Sequence, residues 1–586
     1  MYAENEDVQR QNIILVIITC GLLLFLGLGA KELSDTEAIV ALRAKATAEK
    51  QAWTDQTSYT PGGATNATQA PLLVWAESVF VRTAGWNKPF MLRLWSVLSG
   101  VAALVLVYYI TAFFVGESSA MPAPVLLAGS LMWNHFARSA QPDVPAVVFF
   151  MLSVLAVLRA VHAYDMRERY TWSAVYAVAV CCAMLLDVVI GVAATSLLLY
   201  TRRRESAQVV VGGLVGIAIA LCWYAHMIFV QGSLALRAML ASSVVMDTAH
   251  AFSLQAIATS VTDLLISQPL AVVALLAVIM YVRPKRADED LQPYKESDKL
   301  LHVWAMGALA LFALPISDST RVVFALPPLV ILTVSNRYNV FRMYVQSRVL
   351  SAAFLFMVFL VVFRLLGLVQ VSELNAANGA GFGLASSSSA YPPVMLPIIA
   401  LFLSAGILRL ISPGAAVSMN NAMMRSTRMV LPVILVLHCA WLNTTSTRRE
   451  RDGAKEVGAW LEQSQQRMFT VVLPPEKFAD VYGITSSNNS DGVVPQLSWY
   501  TQGWAGWTQS QPWRPAYGCN VLRLTTDASA NAAALAQAER RDEPIVFVRG
   551  ENEYTSIDLR RAIARKETKR YVVYSRVAYS TAEDEE

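Results

Sequence analysis

The chain has 586 residues, of which 55% are hydrophobic and 15% are charged, and its mean hydropathy is +0.43. Because soluble globular proteins carry about 25% charged residues, this composition excludes an ordinary soluble enzyme and indicates a chain that crosses a membrane many times. The formal net charge is +4, and no nucleic-acid partner is expected.

The apolar runs predict a polytopic α-helical membrane protein with about 13 transmembrane helices. Most runs are long enough to cross about 30 Å of hydrocarbon at 1.5 Å per residue. A short pair flanks Asp187. The predicted spans cover residues 12–30, 90–115, 119–136, 143–162, 171–186, 188–200, 207–230, 259–282, 300–315, 319–335, 349–370, 392–412 and 428–444.

Basic residues predict how these helices are oriented, because short loops that stay in the cytoplasm retain Arg and Lys. With the N-terminus in the cytoplasm, the loops on that side are the basic ones, at 167–169, 202–204, 283–286, 337–348 and 425–428. An odd number of spans then places the C-terminus outside. Residues 1–12 lack the basic stretch of a secretory signal, so the first span is expected to remain as an anchor. The bacterial inner membrane is the expected location.

The composition changes after Asn443, which predicts a transmembrane domain at 1–444, with an outer loop at 31–89, and an extracytoplasmic α/β domain at 445–586. Aromatic residues at 499–513 could stack on sugar rings, lie at the lipid headgroups or form the core of a loop. Predicted strands lie at 470–473, 544–548 and 571–574, and predicted helices at 453–466, 529–541 and 556–566.

The outer loop contains two predicted helices that lie in the membrane interface, at 35–52 and 71–85. Ser34 or Asp35 would cap the first, which places acids at a helix N-terminus. Trp75 would be one aromatic anchor of the second. On the first helix, the apolar stripe is Ile39, Leu42 and Ala46, and the opposite face, expected to meet water, is Arg43, Lys45, Glu49 and Lys50.

Carboxylates at the mouths of membrane helices are the most informative feature of the chain. Asp35 and Glu37 directly follow the first predicted span, and Asp143 follows Arg138 between two later spans. Keeping such charges near hydrocarbon costs several kcal/mol, so they indicate a functional site. The alternative is that each acid only caps a helix, as Pro142-Asp143 would at the fourth span.

The order of these motifs resembles the GT-C class of glycosyltransferases that use lipid-linked sugars, nearest in layout to the aminoarabinose transferase and protein O-mannosyltransferase branch. That family has an acidic Asp-Glu-Ala type motif after the first span, a Lys-Pro-Pro-Leu-type element, an Arg before the second span and a second Asp. The match covers about the first 200 residues. In order, the chain has Asp35-Thr36-Glu37-Ala38, Gln69-Ala70-Pro71-Leu72-Leu73-Val74-Trp75, Arg93-Leu94-Trp95 and Arg138-Ser139-Ala140-Gln141-Pro142-Asp143.

The chain departs from the family pattern at three places. A threonine separates the acids, so either Asp35 or Glu37 could hold the catalytic place. Gln69-Ala70 stands where the family has a lysine, and Asp187-Val188 where it often has Lys-Gly. Two cations for a lipid phosphate are therefore absent from these motifs. The remaining candidates for binding the phosphate are Arg93, Arg138 and Arg321.

The resemblance implies a membrane glycosyltransferase that moves a sugar from a polyprenyl-phosphate donor to an extracytoplasmic acceptor, with inversion. A carboxylate would take the acceptor's proton, and arginines would neutralise the departing phosphate. The implied catalytic residues are Asp35, Glu37 and Asp143, and the implied sugar or acceptor contacts are Trp75 and Gln69. The expected partners are the lipid-linked sugar, membrane lipid and an acceptor that could be a glycan, lipid or protein.

Two other functions stay open. The lost lysines fit a catalytically degenerate GT-C-like subunit or scaffold of a membrane complex. A transporter is disfavoured, because the spans carry few buried charges and show no evident inverted repeat. No cofactor is implied by a motif. Two outer carboxylates could hold a divalent cation, but no tight ligand cluster in the sequence requires one.

Overall fold

The computed structural model describes the N-terminal half of the chain most fully. Ranges described are 17–30, 32–50, 71–84, 89–202, 207–231, 323–334, 453–463, 468–473, 518–523, 544–548, 564–567 and 571–575, with residues 14, 53, 300, 301, 303–305, 307, 308, 436, 439, 536 and 540 besides. Several predictions fall outside them, including the spans at 259–282, 349–370 and 392–412, the aromatic residues at 499–513, and the side chains of Gln69 and Arg321.

Helices dominate the described residues, and residues 17–25 form the end of the first predicted span. The helices that follow are α1 (Asp35–Lys50), α2 (Pro71–Ala84), α3 (Pro89–Val115), α4 (Glu117–Ala120), α5 (Pro122–Ala128), α6 (Leu131–Ala137), α7 (Asp143–His162), α8 (Met166–Leu186), α9 (Val188–Arg202), α10 (Ala207–Gln231), α11 (Leu326–Val334) and α12 (Ala454–Gln463).

Four of the described helices, α3, α7, α8 and α10, are long and apolar enough to cross a membrane. α3 has 27 residues and α7 has 20, which at 1.5 Å per residue gives about 40 and 30 Å. The predicted spans at 90–115, 143–162 and 207–230 are confirmed as helices with nearly the same bounds. α8 begins before the predicted residue 171, because Asp165 caps it by accepting a hydrogen bond from the Arg167 backbone N–H.

The prediction of one continuous span at 119–136 is wrong, because the chain forms the three short helices α4, α5 and α6 there. α3 ends at Val115, and the next residue, Gly116, has a positive φ of 84° that favours glycine. Pro122 begins α5, and Ser130 is extended between α5 and α6. An apolar run predicts that a segment is buried in hydrocarbon or in protein. It does not predict whether the helix is continuous, which depends on these backbone conformations.

This broken segment runs antiparallel to α3. Near its start, Ala120 is buried together with Tyr108 from the C-terminal part of α3. Near its end, Ala137 contacts Gly100, where an added Cβ would lie 2.9 Å from the Ala137 Cβ and would clash. Three short helices therefore return the chain toward the level at which α3 begins.

Asp187 separates α8 from α9, as predicted from the short pair of apolar runs. Its Oδ1 accepts hydrogen bonds from the backbone N–H groups of Val189 at 2.7 Å and Ile190 at 3.0 Å. This is the bonding of an N-cap residue. The Asp187 carboxylate thus begins α9.

Helices α1 and α2 are both present as predicted, and they pack on each other. The Ser78 hydroxyl of α2 donates a buried 3.0 Å hydrogen bond to the backbone oxygen of Ala44 in α1. The expectation that Arg43 and Lys45 face water is wrong, because these residues are only 3% and 6% exposed. Helical periodicity separates two faces of a helix, but it does not show that further protein covers the polar one.

The described C-terminal strands form one five-stranded mixed sheet in the order β2-β1-β3-β5-β4. β1 is parallel to β2 and β3, and β5 is antiparallel to β3 and β4. The strands predicted at 470–473, 544–548 and 571–574 are confirmed, but the end of the helix predicted at 556–566 is wrong, since 564–566 belong to β4. The strand bounds are β1 Met468–Leu473, β2 Gly518–Arg523, β3 Ile545–Val548, β4 Ala564–Glu567 and β5 Tyr571–Ser575.

Candidate functional site

Glu37 in the first turn of α1 and Arg93 near the start of α3 form a buried, bidentate ion pair. The Nε of Arg93 donates to Oε1 of Glu37 at 2.8 Å, and Nη2 donates to Oε2 at 2.9 Å. Arg93 also donates through Nη1 to the backbone oxygen of Leu28 at 2.8 Å and through Nη2 to that of Glu32 at 2.9 Å. One guanidinium therefore joins the end of the first helical segment, the start of α1 and the start of α3.

Ser34 and Glu37 cap α1 reciprocally. The Glu37 N–H donates to Oγ of Ser34 at 3.3 Å, and the Ser34 N–H donates to Oε2 of Glu37 at 2.9 Å. This is the capping-box arrangement of a serine followed by a glutamate three residues later. The structure thus resolves the choice between Ser34 and Asp35 in favour of Ser34 as the cap.

The two acidic loops are the segment before α1 that leads into Asp35 and Glu37 (the first) and the segment 138–143 that leads into Asp143 (the second). The second loop contacts the first at the Glu37 carboxylate. The backbone N–H of Ala140 donates to Oε1 of Glu37 at 2.9 Å. One turn further along α3 from Arg93, the hydroxyl of Ser96 donates to the backbone oxygen of Gln141 at 3.3 Å. The two loops that the sequence singled out therefore lie together at one end of the helical bundle.

This bonding controls the charge of Glu37. Burial alone would raise the pKa of Glu37, but the positive charge and hydrogen bonds of Arg93, with the N–H groups of Ser34 and Ala140, lower it to about 2. Glu37 is therefore ionised at neutral pH, and its two oxygens accept four hydrogen bonds from the chain.

The other two predicted acids begin helices at this end of the bundle. Asp35 is the first residue of α1, and Asp143 is the first residue of α7 and is half-buried. Ala140, whose backbone N–H donates to Glu37, lies three residues before Asp143 in the chain. The N-terminus of a helix favours an ionised carboxylate, so both positions suit a charged acid.

Arg138, a predicted phosphate ligand, lies in the second loop and donates through Nη2 to the backbone oxygen of Leu26. Burial and the nearby charge of Arg93 lower the pKa of Arg138 to about 10, so its guanidinium remains charged at neutral pH. Arg93 and Arg138 together give this end of the bundle two cations. Arg93 is already engaged by the Glu37 carboxylate and two backbone oxygens, and contact of either arginine with a phosphate stays a prediction.

Trp75 links α2 to other parts of the protein. Its Nε1 donates to the backbone oxygen of Trp53 at 2.8 Å. Its ring meets Trp223 of α10 edge to face, with centroids 5.0 Å apart. Trp75 is half-buried, and its predicted contact with a sugar or acceptor stays a prediction.

Glu77 on α2 is a buried carboxyl that the sequence did not single out. It is fully buried, and neither of its oxygens has a hydrogen-bond partner among the described residues. Burial, with a smaller effect from the negative charge of Glu37, raises the pKa of Glu77 well above its usual range. Glu77 therefore holds its proton more strongly than an ordinary glutamate does. Its position in an apolar helix, PLLVWAESVFVRTA, was the available signal.

Glu32 ties the same region to the C-terminal part of the chain. Its backbone oxygen accepts from Arg93, and its Oε2 accepts from the backbone N–H of Gly453 at 3.1 Å. Gly453 immediately precedes α12 and has a φ of 89°, which favours glycine. A carboxylate at a helix N-terminus is stabilised by the unpaired N–H groups there.

Comparison with known proteins identifies relatives of part of the sequence and of the whole fold. A family model for dolichyl-phosphate-mannose-protein mannosyltransferases matches residues 68–229. No curated protein matches the sequence.

Solved structures of ArnT and of an oligosaccharyltransferase resemble the chain. ArnT from Cupriavidus metallidurans bound to undecaprenyl phosphate has a TM-score of 0.60 at 13% identity, and the match covers 97% of this chain and 98% of that one. The apo state of ArnT gives a TM-score of 0.56 at 14% identity, over 97% and 98% of the two chains. The oligosaccharyltransferase of Archaeoglobus fulgidus, tethered with an acceptor peptide, gives 0.46 at 10% identity, over 92% and 69%. The chain has the fold of the GT-C class of glycosyltransferases, as the motifs in its first 200 residues predicted.

Proposed function

We propose that the protein is a membrane glycosyltransferase that moves a sugar from a polyprenyl-phosphate donor to an extracytoplasmic acceptor, with inversion. The observation that carries this proposal is the meeting of the two acidic loops, in which Ala140 of the second loop binds Glu37 of the first. The resemblance in fold to ArnT, crystallised with undecaprenyl phosphate, supports a lipid phosphate as the leaving group. The N-terminus lies in the cytoplasm, and residues 445–586 form an outer domain.

Asp35 is the general base, and Glu37 is a positioning residue. A general base works best with a pKa near the working pH, whereas Arg93, Ser34 and Ala140 lower the pKa of Glu37 to about 2. Glu37 is also engaged at both oxygens, so it would have to break existing bonds before it took a proton. Asp35 begins the same helix, and Asp143 orients the acceptor from the second loop.

In the transfer step, Asp35 takes the proton of the acceptor hydroxyl while that oxygen bonds to the anomeric carbon. The bond from this carbon to the phosphate oxygen breaks, and its electron pair leaves with the polyprenyl phosphate. Attack opposite the leaving group inverts the anomeric centre. Arg138 and Arg321 neutralise the phosphate, since guanidinium groups bind it through charge-assisted hydrogen bonds, and Trp75 and Gln69 contact the sugar or acceptor.

The test is transfer of a labelled sugar from a polyprenyl-phosphate donor by the purified full-length protein. Asp35→Asn keeps the shape of the side chain but removes its basicity, and it should lower the rate by about 10²–10⁴-fold. Glu117→Gln is the matched control, because Glu117 is an exposed acid at the start of α4, near the other end of α3, and its rate should not change. Full activity of Asp35→Asn would refute Asp35 as the base.

A degenerate, non-catalytic subunit is the second candidate. The observation in its favour is Asp187, which stands where the family has a cation and whose carboxylate caps α9 through Val189 and Ile190. If the wild-type protein transfers no sugar from any tested donor, this function replaces the first.

A further inference from the structure

Arg43 on α1 is a buried cation for which the described residues supply no counter-ion. Its side chain is buried, with the residue only 3% exposed. Its Nε has no hydrogen-bond partner among the residues that the structure describes. Burial lowers the pKa of Arg43 to about 10, with no carboxylate of the described chain acting against this change. The guanidinium is therefore charged at neutral pH.

Arg93 is a buried arginine of this protein whose guanidinium is hydrogen-bonded, and it can be compared with Arg43. It lies at the same 3% exposure, yet it forms four hydrogen bonds to Glu37 and to two backbone oxygens. A buried charge that is left unpaired costs several kcal/mol. Arg43 and Arg93 are equally buried, but Arg93 has hydrogen-bond partners at Nε and at both Nη atoms, whereas the Nε of Arg43 has none among the described residues. The simplest explanation of this difference is that Arg43 binds a ligand.

The two acids of α1 and α2 whose side chains the structure describes, Glu37 and Glu77, do not pair with Arg43. Glu37 is paired with Arg93. Glu77 lies across the α1 and α2 contact made by Ser78 and Ala44, neither of its carboxyl oxygens has a hydrogen-bond partner among the described residues, and burial raises its pKa. Among the residues whose side chains the structure describes, the charge of Arg43 therefore has no counter-ion. An anion from outside the described chain would balance it.

We propose that Arg43 is the centre of a phosphate-binding site on α1, in addition to the arginines already assigned. Its planar fork of N–H donors matches phosphate oxygens. Arg43 is two helical turns from Asp35, about 12 Å along the helix axis at 1.5 Å per residue. The phosphate comes either from a polyprenyl phosphate or from free phosphate in solution. The first source rests on the proposed function, and the second does not.

The test compares binding of three probes by the full-length protein in detergent: polyprenyl phosphate, the uncharged polyprenol and inorganic phosphate. The variants are Arg43→Gln, which removes the positive charge, and Arg43→Lys, which keeps the charge but lacks the planar set of N–H donors of the guanidinium. Arg82→Gln is the control, since Arg82 is an exposed arginine in the last turn of α2. Affinity is measured from the rise in unfolding temperature with probe concentration.

We expect Arg43→Gln to bind a phosphate probe at least about tenfold more weakly than the wild type, which corresponds to about 1.4 kcal/mol. Arg43→Lys should lie between them, and Arg82→Gln should bind like the wild type. If Arg43→Gln weakens the binding of polyprenyl phosphate alone, the phosphate comes from the lipid. If it weakens the binding of inorganic phosphate as well, Arg43 forms a general phosphate site. Polyprenol should bind equally to all variants.

Unchanged affinity of Arg43→Gln for both phosphate probes overturns the inference. So does an equal loss of polyprenol binding, because that would report damaged packing. The unfolding temperature without a probe is a second check: loss of an unpaired buried charge should not lower it, and a large fall in Arg43→Gln would assign Arg43 a purely structural role. Binding needs no catalysis, so a wild type that binds phosphate through Arg43 but transfers no sugar would refute only the proposed function.

Discussion

Removing Arg93 should destabilise the protein in a way that depends on pH. Arg93→Met keeps much of the length and apolar volume of the stem but deletes the four hydrogen bonds to Glu37, Leu28 and Glu32. Of the four hydrogen bonds that Glu37 accepts, only those from the backbone N–H groups of Ser34 and Ala140 remain. Breaking one side of a buried pair costs about 3–5 kcal/mol.

The sign of the pH dependence follows from the pKa of Glu37. In the wild type it is lowered from 4.5 to about 2, so the stability contributed by Glu37, of the order of 3 kcal/mol, is present above pH 4.5 and is lost as the pH falls through 2. Without Arg93, burial dominates and raises the pKa of Glu37 above 4.5. The variant then loses stability as the pH rises from 4.5 through the raised pKa of Glu37.

The assay is thermal unfolding in detergent, followed by tryptophan fluorescence at several pH values from 5 to 8. The deficit of Arg93→Met against the wild type should grow with pH. The double variant Glu37→Gln with Arg93→Met should remove this growth, because no ionisable group remains in the pair. An equal deficit at pH 5 and pH 8, or no deficit at all, would refute the reasoning.

Two further predictions concern stability. Glu77→Gln should raise the unfolding temperature more at pH 8 than at pH 5, because the raised pKa of Glu77 means that its burial costs stability as the pH rises above 4.5; a gain that is constant with pH would contradict this. Asp187→Ala should lower the stability by about 1 kcal/mol through loss of the cap bonds to Val189 and Ile190. Asp187→Asn, which keeps an acceptor oxygen, should recover most of it in the same unfolding assay.

The sequence predicted the long helices well, because a run of about 20 apolar residues has few alternatives to a membrane helix. It also identified the motifs that meet at Glu37. It did not reveal that Arg93 is paired with Glu37, since these residues are 56 positions apart and the pairing is a tertiary contact. The burial of Arg43 and Glu77 was missed for a related reason: the period of a helix describes one helix, and the covering of its faces depends on others.

Local signals failed in the two places where context overrides them. The run at 119–136 is mostly apolar, yet α5 begins at Pro122 and the extended Ser130 separates α5 from α6. β4 was predicted as the end of a helix, because its residues ARKE have high helix propensity, and pairing with β5 decides their conformation.

The contact between Glu32 and Gly453 sets an order of events during synthesis. The two residues are 421 positions apart, and ribosomes add about 5–20 residues each second. Glu32 therefore waits for about 20–80 s after it is made before its partner exists. Throughout that interval the carboxylate stays without Gly453, although Leu28, Arg93 and Glu37 can already assemble. The structure around Glu37 and Arg93 is thus completed only after about three quarters of the 586 residues have been synthesised.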